Sequence, residues 1–239
     1  MKGFTYEFEN SYEKLETYEW DNVWWEHANV TGAARALYIG DSISCGTRRI
    51  ATEVAEEKIY FDGFGTSKAV DNPYFADSVR CFARQQGERG VVFFNNGLHG
   101  WHLDDKTEYP KCYEELVKFL VAEFEGTPVA IVLTTAVADP VRDARVVERN
   151  NAAIAIAEKY GLPVVDFYSI VKSDMGLLVG DGVHLKSEGY RKLATELVNR
   201  AKELACDFLE KVAQKLFWEI IFRGECARLL CVRFTDWEL

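Results

Sequence analysis

Short apolar runs alternate with longer amphipathic segments through the middle of the chain. Runs rich in β-branched and aromatic residues fall at Ala36–Ile39, Lys58–Phe61, Val91–Phe94, Val129–Leu133 and Pro163–Phe167. The segments Ala51–Glu57, Phe75–Gln86, Tyr113–Phe124, Val146–Tyr160 and Glu188–Leu204 place apolar residues three or four positions apart, which lines one face of a helix. Strands and helices alternating at this length build βαβ crossovers, hence a parallel sheet covered on both faces. The pattern predicts a three-layer α/β/α fold around a five-stranded parallel sheet, in the order 2-1-3-4-5. No repeat, low-complexity tract or linker interrupts the 239 residues, so one domain is expected.

Two flanks depart from the alternation. Residues 1–34 form an arm crowded with aromatics, among them Phe4, Tyr6, Phe8, Tyr12, Tyr18, Trp20, Trp24 and Trp25. Its tryptophans are expected mainly to pin the arm onto the core of residues 35–205. Residues 206–239 read as a helical extension, with Leu209, Val212, Ala213, Leu216 and Ile220 on one stripe. Phe208, Phe217, Trp218 and Ile221 lie outside that stripe, so the helix could form a homodimer interface, pack within the chain or, least favoured on an acidic chain, touch a membrane surface.

Composition narrows the function. A hydrophobic content of 48% excludes a disordered chain, and a net charge of -10 argues against a nucleic-acid partner, which needs a basic stripe. No run approaches the ~18 apolar residues of a membrane span. Glu7, Glu9, Glu13 and Glu16 occupy the place where a signal peptide needs an apolar core, so a cytoplasmic protein is expected. Cys45, Cys81, Cys112, Cys206, Cys226 and Cys231 are scattered, without a C-x-x-C pair or a nearby His cluster. Reduced thiols and no structural metal are the expectation.

In an open parallel sheet, ligands bind beyond the carboxyl ends of the strands. Gly40-Asp41-Ser42 follows the first predicted strand and Asp62-Gly63-Phe64-Gly65-Thr66-Ser67 the second. The third ends in Asn95-Asn96-Gly97-Leu98-His99-Gly100-Trp101, and Asp181-Gly182-Val183-His184 lies on a loop beyond the fifth. All four segments should converge on one edge. A serine in a tight strand-to-helix turn is exposed, and a histidine within reach can take its proton. A carboxylate three residues before that histidine can fix its tautomer. A glycine N–H and an asparagine amide can donate to a tetrahedral oxyanion. Ser42, Asp181 and His184, with Gly65 and Asn95, therefore compose a complete acyl-transfer site, which needs no cofactor.

These blocks resemble those of the SGNH hydrolases, a branch of the GDSL esterase/lipase superfamily. Gly40-Asp41-Ser42 is similar to the nucleophile block, and Asp181-Gly182-Val183-His184 to the D-x-x-H block carrying acid and base. Phe64-Gly65-Thr66 resembles the second block and Asn95-Asn96-Gly97-Leu98 the third, usually G-x-N-D. The resemblance covers roughly residues 33–205, in the expected order, and implies a flavodoxin-like SGNH fold. It also implies a serine esterase whose oxyanion hole is formed by the N–H groups of Ser42 and Gly65 and the Asn95 amide. Phe93 stands where the third block usually has glycine, and Asn96 where it has aspartate. A shift of one residue would make Asn96 the donor instead. Residues 206–239 match nothing in the family.

The remaining candidates are weighed against ordinary structural roles. Asp41 is expected to shape the nucleophile turn by bonding local N–H groups, and it joins Asn96, His99 and Trp101 as a substrate-contact candidate. His99 and His102 are more often plain loop side chains. No G-x-x-x-x-G-K or G-x-G-x-x-G loop supports nucleotide binding, and the adjacent acids Glu56-Glu57, Asp104-Asp105 and Glu114-Glu115 are solvated pairs rather than a glycosidase dyad. A loop rich in Asn, His and Trp leans towards short-chain ester hydrolysis on a carbohydrate, with a small-molecule or glycan ester as partner. The same triad would serve a thioesterase, lysophospholipase or acyltransferase, and the scaffold could also persist as a non-catalytic binding protein.

Overall fold

The computed structural model describes residue 15 and residues 18–222, with side chains as far as Leu204. Six strands run in order: β1 (Asp21–Trp24), β2 (Ala34–Gly40), β3 (Ile59–Thr66), β4 (Val91–Phe94), β5 (Val129–Val132) and β6 (Val164–Val165). Six helices accompany them: α1 (Ser42–Val54), α2 (Phe75–Gln86), α3 (Glu108–Glu123), α4 (Pro140–Tyr160), α5 (Phe167–Lys172) and α6 (Ser187–Phe222). The sheet order is β1-β3-β2-β4-β5-β6, parallel from β3 to β6. Those five strands reproduce the expected 2-1-3-4-5 order. The sixth is an addition: the arm supplies β1, antiparallel to β3 through Asp21↔Thr66 and Trp24↔Gly63.

Strand side chains alternate between two cores. Ala36, Tyr38, Phe61, Phe93, Ala130 and Val132 pack on one face with Ile43 and Ala51 of α1 and Leu193, Leu197 and Val198 of α6. Leu37, Ile39, Phe64, Val92, Phe94 and Ile131 pack on the other with residues of α2, α3 and α4. Burial on both faces explains why the strands read as apolar runs rather than strict alternation.

The boundaries moved where tertiary contacts override local propensity. Helix α1 starts at Ser42 rather than Ala51, because Asp41 Oδ1 caps it by accepting the Ile43 N–H at 2.9 Å. Gly46 then lets the helix meet α6: a Cβ there would sit 2.4 Å from the Tyr190 ring. Strand β3 runs on to Thr66 through Gly63 and Gly65, which had read as a loop. A Cβ on Gly63 would lie 2.3 Å from Arg48 side-chain atoms, so glycine admits α1 against the strand. Helix α4 starts at Pro140, behind an Asp139 cap, rather than at Val146. Strand β6 is cut to two residues because Asp166 already caps α5.

The expectations for the 206–239 stripe and for Phe4, Tyr6, Phe8 and Tyr12 lie outside the described side chains. Among the described residues, no helix is long and apolar enough to cross a membrane.

Candidate active site

Two chain segments bring the triad together. Ser42 is the first residue of α1, where backbone N–H groups have no partner inside the helix. Asp181 and His184 lie on the loop before α6, which is closed by backbone bonds from Val179 N to His184 O at 2.8 Å and from Lys186 N to Leu177 O at 2.8 Å. Gly182 turns this loop with φ +75°, and its carbonyl accepts the Ala138 N–H at 2.8 Å. A Cβ on Gly182 would lie 2.8 Å from that of Ala138, so only glycine fits both the backbone sign and the approach.

The geometry is that of an acid–base–nucleophile relay. Asp181 Oδ1 accepts the N–H groups of Val183 and His184, each at 2.9 Å. Its Oδ2 lies 2.8 Å from His184 Nδ1, and His184 Nε2 lies 2.9 Å from Ser42 Oγ. A carboxylate on Nδ1 assigns the proton to that nitrogen, which leaves Nε2 as the acceptor facing the hydroxyl. Partial burial alone would raise the Asp181 carboxyl. The Val183 N–H, the His184 ring and the His184 N–H outweigh it and hold the group below its ordinary value. His184 and Asp181 keep side-chain exposures of 29% and 35%, so the pair is reachable from solvent.

Gly65 sits beside this turn, but inside β3, paired with Gly40 on one side and Asn22 on the other. A Cβ there would lie 2.3 Å from Cys45 Sγ and 3.5 Å from the Asp41 carbonyl oxygen. Glycine thus permits β3 to pass close under the first turn of α1. Burial pushes the Cys45 thiol pKa up.

Asn95, expected as the oxyanion donor, is 5% exposed and held at the end of β5. Its amide donates to Val132 O at 2.8 Å and to Thr134 Oγ1 at 3.0 Å, so both hydrogens are committed to the end of β5. Asn96, the alternative donor, has one amide hydrogen engaged. The Asn96 amide donates to Lys68 O at 2.7 Å, tying the loops after β3 and β4 together. The substrate-contact candidates are likewise buried. Asp41 is a helix cap, His99 lies edge-on to Trp20 at 6.3 Å, and both are 0% exposed. Trp101 is covered by Arg145 and Arg149 at 4.9 and 4.4 Å, so its ring is no open sugar platform. His102 pairs with Asp71 at 3.0 Å, a contact between neighbouring loops.

A feature the sequence did not suggest dominates this region. Arg149 of α4, 0% exposed, donates to the carbonyls of Gly97, His99 and Gly100 and to Asp105. Arg145 adds bonds to the carbonyls of Trp101 and Leu103 and to Asp105. The available signal was an arginine in helical register with Val146 and Ala153, both buried. Among the described residues, no group of His, Cys, Asp and Glu gathers to hold a metal ion.

No family model matches the chain. No curated protein matches it either. Solved structures do. A member of the lipolytic protein G-D-S-L family from Veillonella parvula is 22% identical, covering 70% of this chain and 97% of its own, with a TM-score of 0.58. A carbohydrate esterase family 3 protein from Talaromyces cellulolyticus is 15% identical, covering 73% and 99%, with a TM-score of 0.56. Est24, a carbohydrate acetylesterase from Sinorhizobium meliloti, is 13% identical, covering 72% and 99%, with a TM-score of 0.55. The fold is that of the SGNH hydrolases.

Proposed function

We propose that the protein is a serine esterase that hydrolyses short-chain carboxylic esters through an acyl-enzyme. The observation that carries this reading is the continuous relay from Asp181 through His184 to Ser42, with contacts of 2.8 and 2.9 Å. His184 Nε2 takes the proton of Ser42 as Oγ attacks the ester carbonyl, and Asp181 stabilises the imidazolium that forms. The developing oxyanion lies at the N-terminus of α1, where the Ser42 N–H and the positive end of the helix favour negative charge, with Gly65 beside the same turn. His184 then protonates the leaving alcohol. Water, deprotonated in turn by His184, releases the acid and restores Ser42.

A short acyl group is supported by the carbohydrate acetylesterase among the structural neighbours, and a carbohydrate as the alcohol part by that protein and by the carbohydrate esterase. The carbohydrate assignment no longer draws on Asn95, Asn96, His99 or Trp101, which are buried. Hydrolysis of acetylated xylose or glucose, compared with long-chain lipid esters, tests both points. The account expects acetyl sugars to be cleaved faster, and a clear preference for the lipids would overturn it. Labelling by a fluorophosphonate, which needs an activated serine, separates the esterase from a binding protein on the same scaffold.

A further inference from the structure

One peptide group links the loop of Asp181 and His184 to the segment after β5. The carbonyl of Gly182 accepts the Ala138 N–H at 2.8 Å, and the N–H of the same peptide, that of Val183, donates to Asp181 Oδ1 at 2.9 Å. In a planar trans peptide these two groups point in opposite directions, so fixing the carbonyl aims the N–H. The other oxygen of Asp181 lies 2.8 Å from His184 Nδ1, and His184 Nε2 lies 2.9 Å from Ser42 Oγ. A displacement at Ala138 is therefore passed, one hydrogen bond at a time, to the carboxylate, the ring and the nucleophile.

The residue before Ala138 is anchored by a carboxylate that the reaction does not use. Asp143 lies in the first turn of α4 and is 7% exposed. Its Oδ1 accepts the Val137 N–H at 3.1 Å. Its Oδ2 accepts the Tyr168 hydroxyl at 3.1 Å and the Lys172 ammonium at 2.6 Å, both from α5. A buried carboxylate is costly unless its oxygens are answered, and one of the three answering groups is the amide next to Ala138. Capping of α4 does not require this bond. Asp139 already caps the helix by accepting the Arg142 N–H at 2.8 Å, whereas Asp143 reaches back beyond the helix start.

We propose that Asp143 is a positioning residue for ester hydrolysis: by holding the Val137 amide it sets Ala138 against Gly182, and through the Gly182–Val183 peptide it keeps the Asp181 carboxylate on His184. The proposal rests on the esterase reading above. Asp143 acts through backbone alone, and Tyr168 and Lys172 answer its second oxygen.

The test compares wild type with Asp143→Ala, which removes the acceptor, and with Asp143→Asn, which keeps an oxygen for the Val137 N–H but loses the charge facing Lys172. Turnover of p-nitrophenyl acetate is divided by the number of serines that a fluorophosphonate labels at completion, so unfolded protein does not count. Asp143→Ala should lower kcat per labelled site about 10–30-fold, with KM within about threefold, because a displaced acid and base weaken the transition state more than binding. Asp143→Asn should stay within about threefold of wild type. A carboxylate that serves only the fold would lower the thermal midpoint and the labelled fraction in Asp143→Ala, and leave kcat per labelled site unchanged. That result overturns the proposal. So does an Asp143→Asn as slow as Asp143→Ala, since the effect would then belong to the charge and not to the Val137 amide. If Asp143→Ala does not fold, Asp143→Glu decides, because it keeps the charge but displaces the oxygen by a methylene. A drop of about 3–10-fold is then expected, and no drop contradicts the proposal. A wild type that neither labels nor turns over overturns the esterase reading and this proposal together. An active wild type with undiminished variants overturns this proposal alone.

Discussion

Two loops flank Ser42, and they are held in opposite ways. The Asp181–His184 loop is local. Its key contacts span two or three residues, and its acid and base stay partly open to solvent. The Asn95–Asp105 loop is anchored at a distance, by Arg145 and Arg149 some forty to fifty positions along the chain, and its side chains are mostly buried. The first loop presents side chains to the crevice, whereas the second turns most of its side chains inward. A short motif can specify the former, because four consecutive residues carry the acid, the glycine turn and the base. No short motif can specify the latter, since its order depends on a helix that arrives much later in sequence.

The largest expected effect lies on the local loop. His184→Ala should lower kcat roughly 10⁴–10⁶-fold while leaving the thermal midpoint nearly unchanged, because the ring lies partly open to solvent. A steady-state assay paired with thermal melting checks both halves.

Asn95→Ala sharpens the contrast from the other side. It leaves Val132 O and Thr134 Oγ1 without their donor inside the protein, so stability should fall by about 1–3 kcal/mol. Turnover per labelled serine should change less than about threefold, whereas an oxyanion donor would cost about 10²–10³-fold. Denaturant melts and active-site titration on the same preparation separate the two outcomes.

The smallest effect concerns acid. Asp181 is held below its ordinary value in the folded chain. It therefore adds stability above the ordinary carboxylate range, and that contribution is lost as pH falls through the folded-state value. The difference in thermal midpoint between wild type and Asp181→Asn should shrink below about pH 4. A difference that is flat with pH would mean the carboxylate is not held by its N–H donors and the His184 ring.

This contrast also explains what could be read from the chain. The five parallel strands followed from periodicity, because strands buried on both faces leave apolar runs, and their order followed from the doubly wound pattern that alternating strands and helices imply. The convergence of Ser42, Asp181 and His184 followed from their positions relative to strand ends. The β1 strand was hidden, since its four residues are exposed and its pairing depends on Gly63 and Gly65 of β3. Those glycines read as a loop because their reason is tertiary: Arg48 and Cys45 occupy the space where side chains would go. The surroundings of Asn95 were hidden for the same kind of reason. Its type and position suited an oxyanion donor, but acceptors at the end of β5 claim its amide.

The most direct test of the central claim is hydrolysis of p-nitrophenyl acetate by wild type and by Ser42→Ala, with p-nitrophenyl octanoate alongside. The account predicts that wild type cleaves acetate faster than octanoate and that Ser42→Ala loses the activity, by roughly 10⁴-fold or more. Equal turnover in the two proteins would contradict it, because the relay from Asp181 through His184 would then end on the wrong residue.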